Sequence, residues 1–130
     1  MNFPCTGCSA CCRDLPSHWA FNRGDGICRH LDTTTQRCAV YAERPLICRI
    51  GDLYQQRLAK RLTPRVYYLV QAAGCVSRDP RNQEVPAAVL QCLAEAQDSA
   101  SPAPAPLSDE EMNAGLATIL ADTAPLIARL

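Results

Sequence analysis

The sequence predicts a mainly α-helical fold with an irregular, metal-stapled, cysteine-rich N-terminal half: a small single domain that ends in a C-terminal helix. Three observations predict it. The chain carries nine cysteines in 130 residues, and four of them fall in the opening run Cys5-Thr6-Gly7-Cys8-Ser9-Ala10-Cys11-Cys12. Residues 1–40 show neither helical nor strand periodicity and are rich in turn formers. Beyond Asp52, apolar residues recur at helical spacing, with punctuation that separates one helix from the next.

The need for a staple follows from composition. The hydrophobic fraction of 48% is inflated by alanine and cysteine, so the large apolar residues make only a modest core, thinnest over residues 1–40. Cores of that size are held by disulfides or by metal. No charged and apolar leader opens the chain and no run approaches a membrane span, which predicts a cytoplasmic, reducing location where disulfides are rare. An odd cysteine count also resists complete pairing. Metal is therefore the expected staple. The formal net charge of zero argues against broad charge-driven binding to nucleic acid or anionic membrane.

In chain order, Gly24-Asp25-Gly26 is a turn signal and Asp32-Thr33-Thr34-Thr35 a polar loop. Arg44-Pro45 directs the chain out of helical geometry and lets Leu46-Ile47-Cys48 begin a helical turn. Asp52 is placed to cap a helix over Leu53–Leu62, with Tyr54, Leu58 and Leu62 on one face. Thr63-Pro64 ends that helix and caps the next. Val66, Leu69, Val70 and Ala73 form the buried stripe of the second, and Gly74 is read as its left-handed terminus. Pro86 opens a third helix running to about Gln97. Residues 99–106 form a proline-alanine linker. Ser108 and Glu111 then make a capping box for a last helix with Met112, Leu116, Ile119 and Leu120 on one face. The expected organisation is a cysteine-cluster domain at 1–98, the linker at 99–106 and an amphipathic helix at 107–130. That helix either packs back on the domain, the favoured outcome, or docks a protein partner.

Thiolates are the ligands of zinc, iron–sulfur clusters and copper(I), and a Cys-x-x-Cys pair lets two sulfurs reach one ion from a tight turn. Cys5, Cys8 and Cys11 repeat that spacing twice. Adjacent Cys11 and Cys12 are expected to diverge and to serve different ions or a multinuclear site, which later cysteines must complete. Cys28, Cys38 and Cys48 are the candidates, with Cys75 emerging after the helix end at Gly74 as an eighth ligand. Cys92, in register with Val85, Val89 and Ala96, reads as core. His30, two residues past Cys28, could replace a thiol as ligand, although a surface or hydrogen-bonded histidine is the favoured reading. His18-Trp19 is assigned no role beyond packing of the tryptophan, and Tyr41 is expected to pack against the cluster. Eight thiolates would leave a strongly negative centre even with two divalent ions bound. The Cys-Arg pairs at Arg13, Arg29 and Arg49, with Arg37, are expected to offset it. The ferredoxin pattern is incomplete: Cys5, Cys8 and Cys11 fit it, but Leu15 stands in the fourth cysteine slot. Zinc and iron, including an iron–sulfur cluster, both remain open as cofactors.

Residues 5–49 resemble the CxxCxxCC cysteine-cluster family, the YkgJ-like zinc- or iron-chelating domains. The resemblance rests on the opening run, on Cys28-Arg29-His30-Leu31-Asp32, and on Cys38-Ala39-Val40-Tyr41-Ala42-Glu43-Arg44-Pro45-Leu46-Ile47-Cys48-Arg49. It differs where Ile50-Gly51 replaces the aromatic residue that often follows the last Cys-Arg. The resemblance implies metal binding and little beyond it. No Ser-His-Asp, Cys-His or paired-carboxylate constellation marks an independent enzyme, and no glycine loop marks a phosphate site. The expected function is a metal-binding protein whose thiolate-held zinc or iron organises the fold. The alternatives are an iron–sulfur redox or accessory protein and a zinc interaction module. The basic run Arg57, Lys60, Arg61 and Arg65 reads as a solvated helix face, so nucleic acid is not an expected partner.

Overall fold

The computed structural model describes residues 3–5, 10–13, 15 and 19–128. The described part of the first half is a succession of turns. A 3-10 turn at Ala10–Cys12 leads into loops around Asn22, whose side-chain oxygen accepts from the N–H groups of Gly24 (2.8 Å) and Gly26 (2.9 Å). Gly24 and Gly26 have φ of 121° and 85°, so the expected turn forms and uses the freedom of glycine.

Two short strands, β1 (Leu31–Asp32) and β2 (Arg37–Cys38), pair antiparallel with Leu31 opposite Cys38. The connecting loop is the polar run predicted from sequence. Asp32 Oδ1 accepts from the N–H groups of Thr34 and Thr35, and Gln36 takes a positive φ of 59°. The strands themselves were not foreseen, because two-residue strands are too short to show alternation. Two 3-10 turns follow, Tyr41–Glu43 and Leu46–Cys48, separated by Arg44-Pro45 in extended geometry.

The second half is helical. Helix α1 (Ile50–Leu53) continues as a π-helical turn over Tyr54–Leu58. It starts earlier than expected, and Asp52 is not its cap. Asp52 lies in the first turn and takes a 2.8 Å ion pair from Arg49. Helix α2 (Pro64–Arg78) has the predicted Thr63 cap and Pro64 start. It does not stop at Gly74. That glycine sits within the helix, which runs to the Asp79 cap. Backbone hydrogen bonds and packing against α3 carry α2 past a residue whose local preference favours termination. Helix α3 (Val85–Glu95) has Pro86 in its first turn.

The core lies between these helices. Leu58, Tyr67, Ala72 and Val89 are fully buried, with Leu53, Tyr54, Tyr68, Leu69, Val70, Val85 and Leu93 around them. The rings of Tyr54, Tyr67 and Tyr68 pack with centroids 5.0–5.5 Å apart. Their burial is satisfied at the polar ends: Tyr54 donates to the Leu62 carbonyl (3.0 Å) and Tyr67 to that of Ile50 (2.7 Å).

Helix α4 (Asp109–Ile127) begins with the predicted Ser108–Glu111 capping box and packs back on α2. Its buried face differs from the expected one. Gly115, Ile119 and Thr123 are buried, with Met112 and Leu126 beside them, while Leu116 and Leu120 are 44% and 58% exposed. The rotation has a steric cause. A Cβ at Gly115 would stand 2.7 Å from Val66 Cγ1 and 3.0 Å from Val70 Cγ2, so the missing side chain is what lets α4 lie against α2.

The basic run is not merely solvated. Arg57 and Arg61 reach Asp122 on α4, and Arg65 forms a bidentate pair with Glu111 at 2.6 and 3.2 Å. Arg65 also donates to the carbonyls of Ala105 and Pro106, strapping the proline-alanine segment to the domain. Among the described residues no helix is long and apolar enough to cross a membrane.

Candidate metal centre

Backbone hydrogen bonds, rather than a hydrophobic core, bring the cysteines of the first half together. The Cys28 N–H donates to the Cys12 carbonyl (2.8 Å), and the Leu15 N–H to that of Gly26 (2.8 Å), so the end of the opening run lies along the Asn22–Cys28 loop. The Leu31 N–H donates to the Cys28 carbonyl, and Leu31 pairs with Cys38 across the strands. Cys12, Cys28 and Cys38 thus become neighbours through successive backbone contacts. Cys48 arrives on the 3-10 turn Leu46–Cys48.

The thiols sense one another. Cys11 and Cys12 do not diverge as expected but share a hydrogen bond at the end of the 3-10 turn Ala10–Cys12. That bond holds the Cys11 thiol below its ordinary range and the Cys12 thiol far above it. Burial opposes the shift at Cys11, where the charges of Arg78 and Arg44 also favour the thiolate. At Cys12, burial and the nearby Cys28 and Cys38 add to the rise. Cys48 is exposed as a residue, yet its sulfur is crowded enough that desolvation, with Cys11, Cys28 and Cys38 nearby, pushes it up to about 11. The His30 N–H points at Cys28 Sγ (3.5 Å), the kind of amide contact that supports a thiolate. The His30 ring instead meets Phe21 edge-on, at 5.5 Å between centroids.

Five of the eight predicted ligands, Cys11, Cys12, Cys28, Cys38 and Cys48, therefore share one electrostatic neighbourhood. Cys8 lies outside the described residues, as does His18. Cys5 sits two residues after Phe3, whose ring stacks on Tyr68 at 6.4 Å and whose carbonyl accepts the Cys5 N–H (2.8 Å). Cys75 does not emerge past a helix end. It lies inside α2, one turn before Arg78 and on the same face, and α2 packs against the Ala10–Cys12 turn. Cys92 is half-buried on α3, beside the fully buried Val89. Among the described residues, no three of these side chains are already close enough to form an ion-binding group. The five cysteines of this neighbourhood offer sulfur donors, which suit zinc or iron.

Two cations that the sequence did not single out act on the thiols. Arg13 hydrogen-bonds Gln36, Arg49 pairs with Asp52, and Arg29 and Arg37 are exposed. Arg44 and Arg78 act on Cys11 instead, and Arg44 also on Cys48. The signal for Arg44 was available in the Tyr41-x-x-Arg44-Pro45 segment. Nothing local marked Arg78, which reaches the site only because α2 continues past Gly74. Tyr41 does not pack on the cluster: it is 61% exposed, with the Arg44 guanidinium 3.8 Å from its ring centre.

Residues 17–92 match the family model CxxCxxCC, described as a putative zinc- or iron-chelating domain. The match begins just after the opening cysteine run and continues through α2 and most of α3. No curated protein and no solved structure matches the chain.

Proposed function

Since the chain belongs to the CxxCxxCC family, we propose that it binds zinc or iron through cysteine thiolates and that the bound metal organises the first half of the fold. The observation that carries this reading is the gathering of Cys11, Cys12, Cys28, Cys38 and Cys48, from four separate turns and strands, into one all-sulfur neighbourhood faced by two arginines. Cys5 and Cys8 join them through the Cys-x-x-Cys spacing, and Cys75 through its face of α2. A bound zinc or iron ion would supply the thiolate bonds that draw these loops together. The protein's own backbone contacts bring the cysteines into one neighbourhood, and Arg44 and Arg78 supply positive charge beside Cys11. Residues 1–98 form the binding unit in this reading; 99–106 and 107–130 brace it.

The Cys5, Cys8 and Cys11 spacing supports a second reading, an iron–sulfur cluster in a redox or accessory role. One experiment decides between them: elemental analysis with an absorption spectrum on protein purified without air. Colourless protein with about two zinc per chain supports structural zinc. Iron with acid-labile sulfide and absorbance in the visible supports the cluster. Protein that carries neither metal and takes up neither overturns the proposal.

A further inference from the structure

Arg44 occupies an unusual position among the basic residues of the first half. Its Nε donates to the Tyr41 carbonyl (2.9 Å) and its Nη1 to the Cys48 carbonyl (3.1 Å). The same guanidinium lies over the Tyr41 ring, 3.8 Å from its centre. One planar group thus ties together the two ends of the segment 41–48, with Pro45 fixing the backbone next to it. Of the segment's side chains, Leu46 packs half-buried against the helical core and none is fully buried, so the shape of the loop rests largely on these contacts of Arg44.

From this geometry we infer that Arg44 is the positioning residue for Cys48: it clamps the 41–48 loop so that the Cys48 sulfur is presented to the thiol cluster before metal arrives. The inference rests on the metal-binding reading above and adds a named residue and a mechanism to it. The electrostatic reach of Arg44 to both Cys48 and Cys11 is consistent with the same placement. A clamp and a mere counter-charge make different demands. The clamp needs two donors in a plane and a flat face for the tyrosine, which only arginine provides. A counter-charge needs only a cation, which lysine also provides.

The test is cobalt(II) loading of the full chain under anaerobic, reducing conditions, followed by competition with zinc. The variants are Arg44→Ala, Arg44→Lys, Cys48→Ser and the double variant Arg44→Ala/Cys48→Ser. If Arg44 acts through Cys48, Arg44→Ala weakens cobalt affinity by about 10–100-fold. It also lowers the thiolate-to-cobalt charge-transfer band to the level of Cys48→Ser, and Arg44→Lys does not restore it. The double variant then binds no more weakly than Cys48→Ser alone, because the two changes remove one interaction. Full rescue by lysine, or a double variant weakened by the product of the single effects, overturns the clamp. So does an Arg44→Ala protein that binds cobalt with wild-type affinity and spectrum. A wild-type chain that binds neither cobalt nor zinc overturns the metal-binding reading itself, which separates the two failures.

Discussion

The two halves of this molecule are held by different physics. Among the described residues, the stretch from Phe3 to Cys48 buries only Cys28 and Leu31, whereas twelve residues from Leu53 to Ile119 form a continuous core. The helical half stands on burial of large side chains, and its three tyrosines satisfy both packing and hydrogen bonding. The cysteine half has turns, one two-residue hairpin and a chain of backbone contacts. Such contacts are worth about 0.5–1.5 kcal/mol each and cannot alone offset about 1–2 kcal/mol per residue of ordering entropy. On the metal-binding reading proposed above, the staple serves the half where sulfur stands in place of hydrocarbon.

Removing metal should break the comparison most. Structural zinc contributes about 10–16 kcal/mol, as much as the whole stability of an ordinary domain at about 5–15 kcal/mol. Treatment with a chelator is expected to abolish amide protection over residues 19–48 while α2 and α3 keep theirs. Hydrogen exchange read residue by residue checks it, and an unchanged N-terminal half after complete metal removal would contradict the structural role.

The reciprocal change comes next. Leu58 is fully buried, and Leu58→Ala is expected to cost about 2–5 kcal/mol of helical-half stability without altering metal stoichiometry. Denaturant melts paired with elemental analysis measure both quantities on one sample. A variant that lost metal in proportion to stability would mean that the halves fold as a single unit.

Gly115 sharpens the boundary of the helical half. Gly115→Leu forces a side chain into Val66 and Val70 and should cost about 1–3 kcal/mol, by lifting α4 rather than by opening the core between α2 and α3. Increased exchange confined to residues 109–127 would verify it; exchange spread through α3 would not.

The smallest effect concerns acid. Hydrogen bonds from Arg65, then the Ser108 N–H, hold the Glu111 carboxyl at about 2, below its ordinary value near 4.5. A depressed acid stabilises the folded state fully above its ordinary value and loses that contribution as pH falls from about 4.5 to about 2. The docking of α4 should weaken over that window and should weaken further with salt, since the pair is exposed. Glu111→Gln is expected to flatten the pH dependence, followed by the exchange rates of α4.

Much of the fold was legible in advance where a single residue type enforces a local geometry. Thr63-Pro64 starts α2, Ser108 with Glu111 starts α4, and the glycines flanking Asp25 make the turn around Asn22. The misreadings came where packing overrode local preference. Gly74 is a helix breaker by propensity, but α2 runs through it. Leu116 and Leu120 look like core and face outward, because Gly115 offers the closer approach. The family was equally legible, since the cysteine pattern carried the resemblance and a zinc- or iron-chelating family model matches residues 17–92. Which cations face the sulfurs was not, because Arg44 reaches them through a loop clamp and Arg78 from a helix distant in sequence.

By itself, then, the sequence determined the starts of α2 and α4 and the turn around Asn22, because caps and glycines act within a few residues of where they stand. The tertiary structure alone decided the face that α4 buries, the carboxylate partners of Arg57, Arg61 and Arg65, and the arginines that stand beside the thiols. Those depend on which surfaces meet at close range, and close approach is set by shape and by the sum of many weak contacts across the whole chain.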